Sequence, residues 1–274
     1  MTTDAHRPPA HRPPAHRRRA HERPGDAPGL LEGTDSPASK RQSRLRSTRR
    51  ITPGQRRALK PGSTLRCLVL APGPAEWAGV DIESGAFVRL PPPDEEALAE
   101  APGEWVTYDV VEMVLGQDDE PLDPARPEAV QPARPPLKIG RLRRGARRRL
   151  LSQVATPERP GSALLGIWGP SIALSELEGS RPSIVLVGVS PGSLELGLDG
   201  DGATLCAFDW GAARHVLPVI DRRCHAIARA NPGQLQTRGL IEEAFGSKVV
   251  YLVVGLGSVR AGHAPKTVLA VLRR

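Results

Sequence analysis

VVYLVVGL (residues 249–256) and, a short step on, TVLAVL (residues 267–272) decide the fold class. Both runs are almost wholly apolar, rich in β-branched residues and too short for ordinary helices. Runs of this kind, bounded by Gly, Ser and Lys, read as central strands buried on both faces. The same texture extends upstream, through residues 214–220 (RHVLPVI), 203–210 (ATLCAFDW), 193–198 (SLELGL) and 183–189 (SIVLVGV). It recurs further back. Residues 65–71 (LRCLVLA) form a strand candidate, residues 79–90 (GVDIESGAFVRL) read as a hairpin turning at Glu83-Ser84-Gly85, and residues 105–115 (WVTYDVVEMVL) form another strand. Helix is a minor component. Residues 221–230 (DRRCHAIARA) are its best candidate, and residues 139–151 (IGRLRRGARRRLL) predict a short basic helix with Arg141, Arg144 and Arg148 on one face. The acidic, proline-rich stretch 116–136, between the strand at residues 105–115 and this basic helix, reads as a long loop. No βαβ alternation is visible, which argues against a doubly wound sheet. The pattern therefore predicts an all-β, β-rich chain with minor helix. Two groups of about five strands, each with one helix-like segment, suit two small barrels over residues 63–155 and 156–274 better than one sandwich.

The charge is unevenly placed. Of 38 Lys and Arg against 30 Asp and Glu, residues 1–62 hold 15 against 5, so this segment carries +10 and the remainder −2. The segment opens with His6-Arg-Pro-Pro-Ala and His11-Arg-Pro-Pro-Ala, continues as His16-Arg-Arg-Arg-Ala, and reaches His21. Proline denies it helix and ladder hydrogen bonds, and too few large apolar residues are present to offset chain entropy, so a disordered basic tail is expected. Three cysteines, Cys67, Cys206 and Cys224, have neither paired nor metal-ligand spacing and point to a reducing compartment. With no signal-type apolar region and no membrane-length run, a soluble, cytoplasmic protein is expected, with no membrane partner.

Candidate chemistry is sparse. Asp209, His215, Asp221, Cys206, Cys224 and His225 are the one grouping in which a metal or nucleophile is imaginable, yet Cys224 and His225 are adjacent on an expected helix and diverge by about 100°. No metal site, small-molecule cofactor or catalytic residue is assigned. Gly255-Leu-Gly257-Ser-Val-Arg260 echoes half of a dinucleotide fingerprint but reads better as a strand-to-loop turn, and P-loop, HExxH, GxSxG and kinase signatures are absent from the sequence. A non-enzymatic binding protein is expected. Among the aromatics, Trp77, Trp105, Trp168, Trp210 and Phe87 read as core rather than as base-stacking platforms. The phosphate-binding candidates are Arg141, Arg143, Arg144, Arg147, Arg148 and Arg149, joined by Arg49 and Arg50 of the tail. Without those six central arginines the part after residue 62 would hold 17 basic against 25 acidic groups, so contact with a polyanion is expected to be local to this segment.

Several motifs share an order with a known family. Cys67-Leu-Val-Leu-Ala, Gly79-Val-Asp-x-x-Ser-Gly-Ala-Phe-Val-Arg89, Tyr108-Asp-Val-Val-Glu, Leu137-Lys-Ile-Gly-Arg141-Leu, Phe208-Asp-Trp, Pro218-Val-Ile-Asp-Arg222-Arg223 and Tyr251-Leu-Val-Val-Gly-Leu follow one another along roughly residues 64–273. In this the chain resembles the bacterial dual OB-fold domain-containing protein family. The resemblance implies two OB-type barrels in tandem and a binding role towards single-stranded DNA or RNA, in systems of prokaryotic conflict or mobile elements. A protein-interaction module with a protein partner is the alternative. The chain departs from the family where Pro-Gly-Pro-Ala-Glu follows Ala71, in place of a polar, basic loop.

Overall fold

The computed structural model describes residues 59–73, 76–90, 105–116, 125–159, 161–177, 181–230, 238–246 and 248–273. The expected tail, with its histidine repeat, Arg49 and Arg50, lies outside the described residues except for its last four. Every element below belongs to one compact unit, Ser36–Arg274.

Twelve strands and three α-helices are found among the described residues. Strands β1 (Thr64–Pro72), β2 (Trp77–Asp81), β3 (Phe87–Leu90), β4 (Asp109–Val114) and β5 (Leu137–Arg141) form an antiparallel sheet in the order β3-β2-β1-β4-β5. The β2–β3 turn is where the sequence places it. Asp81 closes it by accepting hydrogen bonds from the Ser84 amide at 2.8 Å and the Ser84 hydroxyl at 2.5 Å. Helix α1 (Arg144–Val154) follows β5. Further on come β6 (Ser171–Ala173), β7 (Ile184–Val189), β8 (Glu195–Leu198), β9 (Thr204–Trp210) and β10 (Ala213–Pro218), then α2 (Arg222–Ala230), α3 (Arg238–Phe245), β11 (Val250–Leu256) and β12 (His263–Arg273). They make a three-stranded sheet, β10-β9-β8, and a four-stranded sheet, β6-β12-β11-β7. The strand-rich expectation holds, and the later half, where about five strands were expected, has seven strands in two sheets.

The four-stranded sheet is the centre of the packing, because residues 250–256 and 267–272 are buried on both faces. On β11, Val250, Leu252 and Val254 face one core while Tyr251 and Val253 face another, and β7 alternates likewise. The first core adds the β8–β10 sheet, Cys224 of α2, and Ile241 and Phe245 of α3. The second joins Leu186, Val253 and Leu272 to Leu68 and Leu70 of β1 and to Leu150 and Leu151 of α1. Each fully buried Val or Leu contributes about 1.5–3 kcal/mol. Both faces of the sheet are thus strongly specified. A third cluster, on the far face of β1, contains Trp77 against Trp105.

A buried polar network stitches these layers together. Arg89 of β3 is 1% exposed; its Nε donates to Ser183 Oγ at 3.1 Å, its Nη2 donates to the Ser183 carbonyl at 2.7 Å, and its Nη1 pairs with Glu76. Glu128 accepts from the Ser183 amide and hydroxyl, and Arg126 pairs with Glu76 at 2.9 Å. Gly255 makes room for this arrangement. A Cβ there would lie 2.7 Å from Arg89 Nη2, so the glycine echoing a dinucleotide fingerprint has a packing reason. Residues 125–130, expected as part of a loop, supply two members of the network.

One expected element differs. The helix predicted over residues 139–151 is two elements, since residues 137–141 pair with β4 and the helix starts at Arg144. Buried Asp109 holds the strand: Lys138 Nζ lies 2.7 Å and Arg141 Nε 3.1 Å from its carboxylate. Arg141 therefore lies off the helical face it was expected to share with Arg144 and Arg148. Trp168 also departs from the core reading, at 68% exposed, whereas Trp77, Trp105, Trp210 and Phe87 are buried. No helix among the described residues is long and apolar enough to cross a membrane.

Candidate anion-binding cleft

Helix α1 sorts its residues by face. Leu150 and Leu151 are buried, with Ala146 and Val154 packed on the same core, so a stripe at three- and four-residue spacing anchors the helix. The opposite face is cationic. Arg144, Arg148 and Arg149 are exposed, as is Arg143 at the N-cap, and no carboxylate among the described residues pairs with any of them. The start of this helix is electrostatically unusual. Arg143 provides no side-chain cap and the first turn contains no acid, so cations cluster where the helix dipole is already positive.

The cationic face continues onto distant parts of the chain. A cleft of about 430 Å³ is lined by Arg144 and Arg148 of α1, Lys248 ahead of β11, and Arg273 at the end of β12. Gly145, Phe245, Gly246 and Val249 complete its wall, and among the described residues no acidic residue lines it. Gly246 produces the shape. Its φ of +96° ends α3 in a backbone conformation that side chains with a Cβ rarely adopt, and Arg273 lies over it.

Arg147 is set beside the cleft by an aromatic partner. Its guanidinium stacks 3.9 Å from the centre of the Tyr108 ring, and the Tyr108 hydroxyl donates to the Arg273 carbonyl at 2.8 Å. Arg147 Nε is buried and without a hydrogen-bond partner among the described residues. Burial pushes the Tyr108 phenol above its ordinary value despite the guanidinium groups nearby, so it is a neutral donor at pH 7. Tyr108 also has a φ of +78°. That strained residue turns the chain into β4 and places the ring beneath Arg147.

Of the arginines singled out from the sequence, Arg144 and Arg148 enter the cleft and Arg147 flanks it. Arg143 and Arg149 are exposed on the same helix, and Arg141 is tied to Asp109 and to the Thr107 carbonyl, at 3.0 Å. Arg49 and Arg50 are outside the described residues. Sequence reasoning missed Lys248, Arg273 and Tyr108. The available signal was a cation at the edge of each central apolar run, but nothing in the spacing says that those edges meet α1. The imagined metal grouping is dispersed into structural bonds: Asp209 pairs with Arg214, Asp221 accepts from the Arg223 amide at the start of α2 and from the Val271 amide, and His225 bonds Thr204. Burial raises the Cys206 thiol to about 12 and the Cys224 thiol well above its ordinary range. Among the described residues no group of three or more His, Cys, Asp or Glu side chains is placed to hold a metal.

No family model matches the chain, and no curated protein or solved structure matches it.

Proposed function

We propose that this protein binds single-stranded nucleic acid through its phosphates, at the cleft between α1, the turn after α3 and the end of β12. The carrying observation is the convergence of Arg144, Arg148, Lys248 and Arg273 in a wall to which no described carboxylate contributes. In a part of the chain with a net charge of −2, four such cations in one place make the cleft a local basin for anions. Arg143, Arg147 and Arg149 widen this basin, and the basic segment 1–62 adds attraction of longer range. Two OB-type barrels, divided near residue 155, remain the architecture we propose for this role. The five-stranded antiparallel sheet β3-β2-β1-β4-β5 supports that reading of the first.

Binding should be strongly salt-dependent and only weakly sequence-dependent, since the cleft offers cations rather than base-reading amides or exposed stacking rings. If about five phosphates are neutralised, the logarithm of affinity should fall with the logarithm of salt at a slope of roughly −3.5 for a single strand. Fluorescence anisotropy with labelled oligothymidine at a series of salt concentrations measures this slope. Absence of binding at low salt, or binding indifferent to salt, contradicts the proposal. A protein-interaction module is the second reading, favoured by Trp168, a large aromatic residue left 68% exposed.

A further inference from the structure

We infer that the cleft takes the phosphorylated end of a single strand, a phosphomonoester, in preference to an internal phosphodiester; this rests on the nucleic-acid reading above. Size and charge together carry the inference. A space of about 430 Å³ is that of a site for one small ligand, so it accommodates about one nucleotide of a strand at a time. Four cations face that space. An internal phosphodiester brings one negative charge to them, whereas a terminal phosphomonoester brings about −1.5 to −2 at neutral pH and three acceptor oxygens. The monoester is the closer match to the charge present, and its extra oxygen can accept from a further guanidinium or ammonium donor.

The wall is also built from several segments rather than along one. Arg144 and Arg148 come from α1, Lys248 from the turn beyond Gly246, and Arg273 from β12, with Phe245 and Val249 as apolar parts of the lining. Such an arrangement surrounds a compact group. Cations meant to track an extended backbone would instead be strung along a line.

Competition on the full-length chain tests this. Labelled oligothymidine is displaced by unlabelled strands of the same sequence with a 5′-phosphate, a 3′-phosphate or only hydroxyl ends, and separately by inorganic phosphate. A phosphorylated end should lower the concentration for half-displacement roughly tenfold, the size of one added charge-assisted hydrogen bond. This advantage should shrink at about pH 5, where the monoester loses its second charge. The Lys248→Ala and Arg273→Ala variants should erase the advantage, while Arg149→Ala should weaken all strands alike. If strands with and without phosphate compete equally while both bind, end recognition is overturned and nucleic-acid binding stands. Inorganic phosphate competing as well as a phosphorylated strand would also overturn it, by making a small phosphate compound the ligand. If none of the strands binds, both proposals fail.

Discussion

Lys266 of β12 has no exposed surface, and its Nζ donates to the Ile167 carbonyl at 2.6 Å without a carboxylate partner among the described residues. Burial disfavours the ammonium and lowers its pKa from 10.5 to about 8. Between these values the unfolded chain holds the proton more tightly than the folded one, so stability rises with pH through this window. Below about pH 8 the charged lysine is a liability on the order of 3 kcal/mol, partly offset by its hydrogen bond. Lys266→Met should therefore raise the urea midpoint at pH 7 and flatten the increase in stability between about pH 8 and 10. An unchanged pH profile would contradict this account of the buried charge. Nothing in the apolar pattern of residues 267–272 announces a buried lysine just before it. The sequence shows a polar residue at a strand edge, and only the turn carrying Ile167 closes over it.

At the scale of the element, α1 carries a conflict between its own stability and the proposed binding. Arg143 occupies a position where Asp, Asn, Ser or Thr would cap the helix, and its charge opposes the dipole. Arg143→Asp should stabilise the protein by about 1 kcal/mol and weaken oligonucleotide binding. Parallel urea titrations and anisotropy measurements would see the two effects with opposite signs. If stability and affinity both fell, the uncapped cationic start would be structural and not an adaptation to an anion. The basic helix itself was legible, because Leu150 and Leu151 follow arginines at helical spacing. Its start was not. Residues 139–141 read as helical until Asp109, far away in sequence, is seen to pair with both Lys138 and Arg141 and hold the segment in a strand.

Across the whole molecule, local pattern and long-range convergence contribute differently. The central strands were visible in VVYLVVGL and TVLAVL because burial on both faces removes polar residues from a run. Short α3 and β6 escaped notice; α3 is interrupted by Gly239 and β6 has three residues, too few to show a period. The cleft was only half legible, since residues 144–148, 245–249 and 273 are brought together by the shared core of α1, β11 and β12 and by no local motif. Its charge, more than its depth, is what the proposed function depends on. The most direct measurement is the affinity of a single-stranded oligonucleotide for the chain lacking residues 1–62, with and without Arg144→Glu, Arg148→Glu and Lys248→Glu together, circular dichroism verifying the fold of each. Removing the tail should lower affinity and flatten the salt slope while leaving measurable binding, and the triple reversal should abolish what remains. A triple variant that keeps its fold and binds as tightly as its parent would contradict the assignment of the cleft.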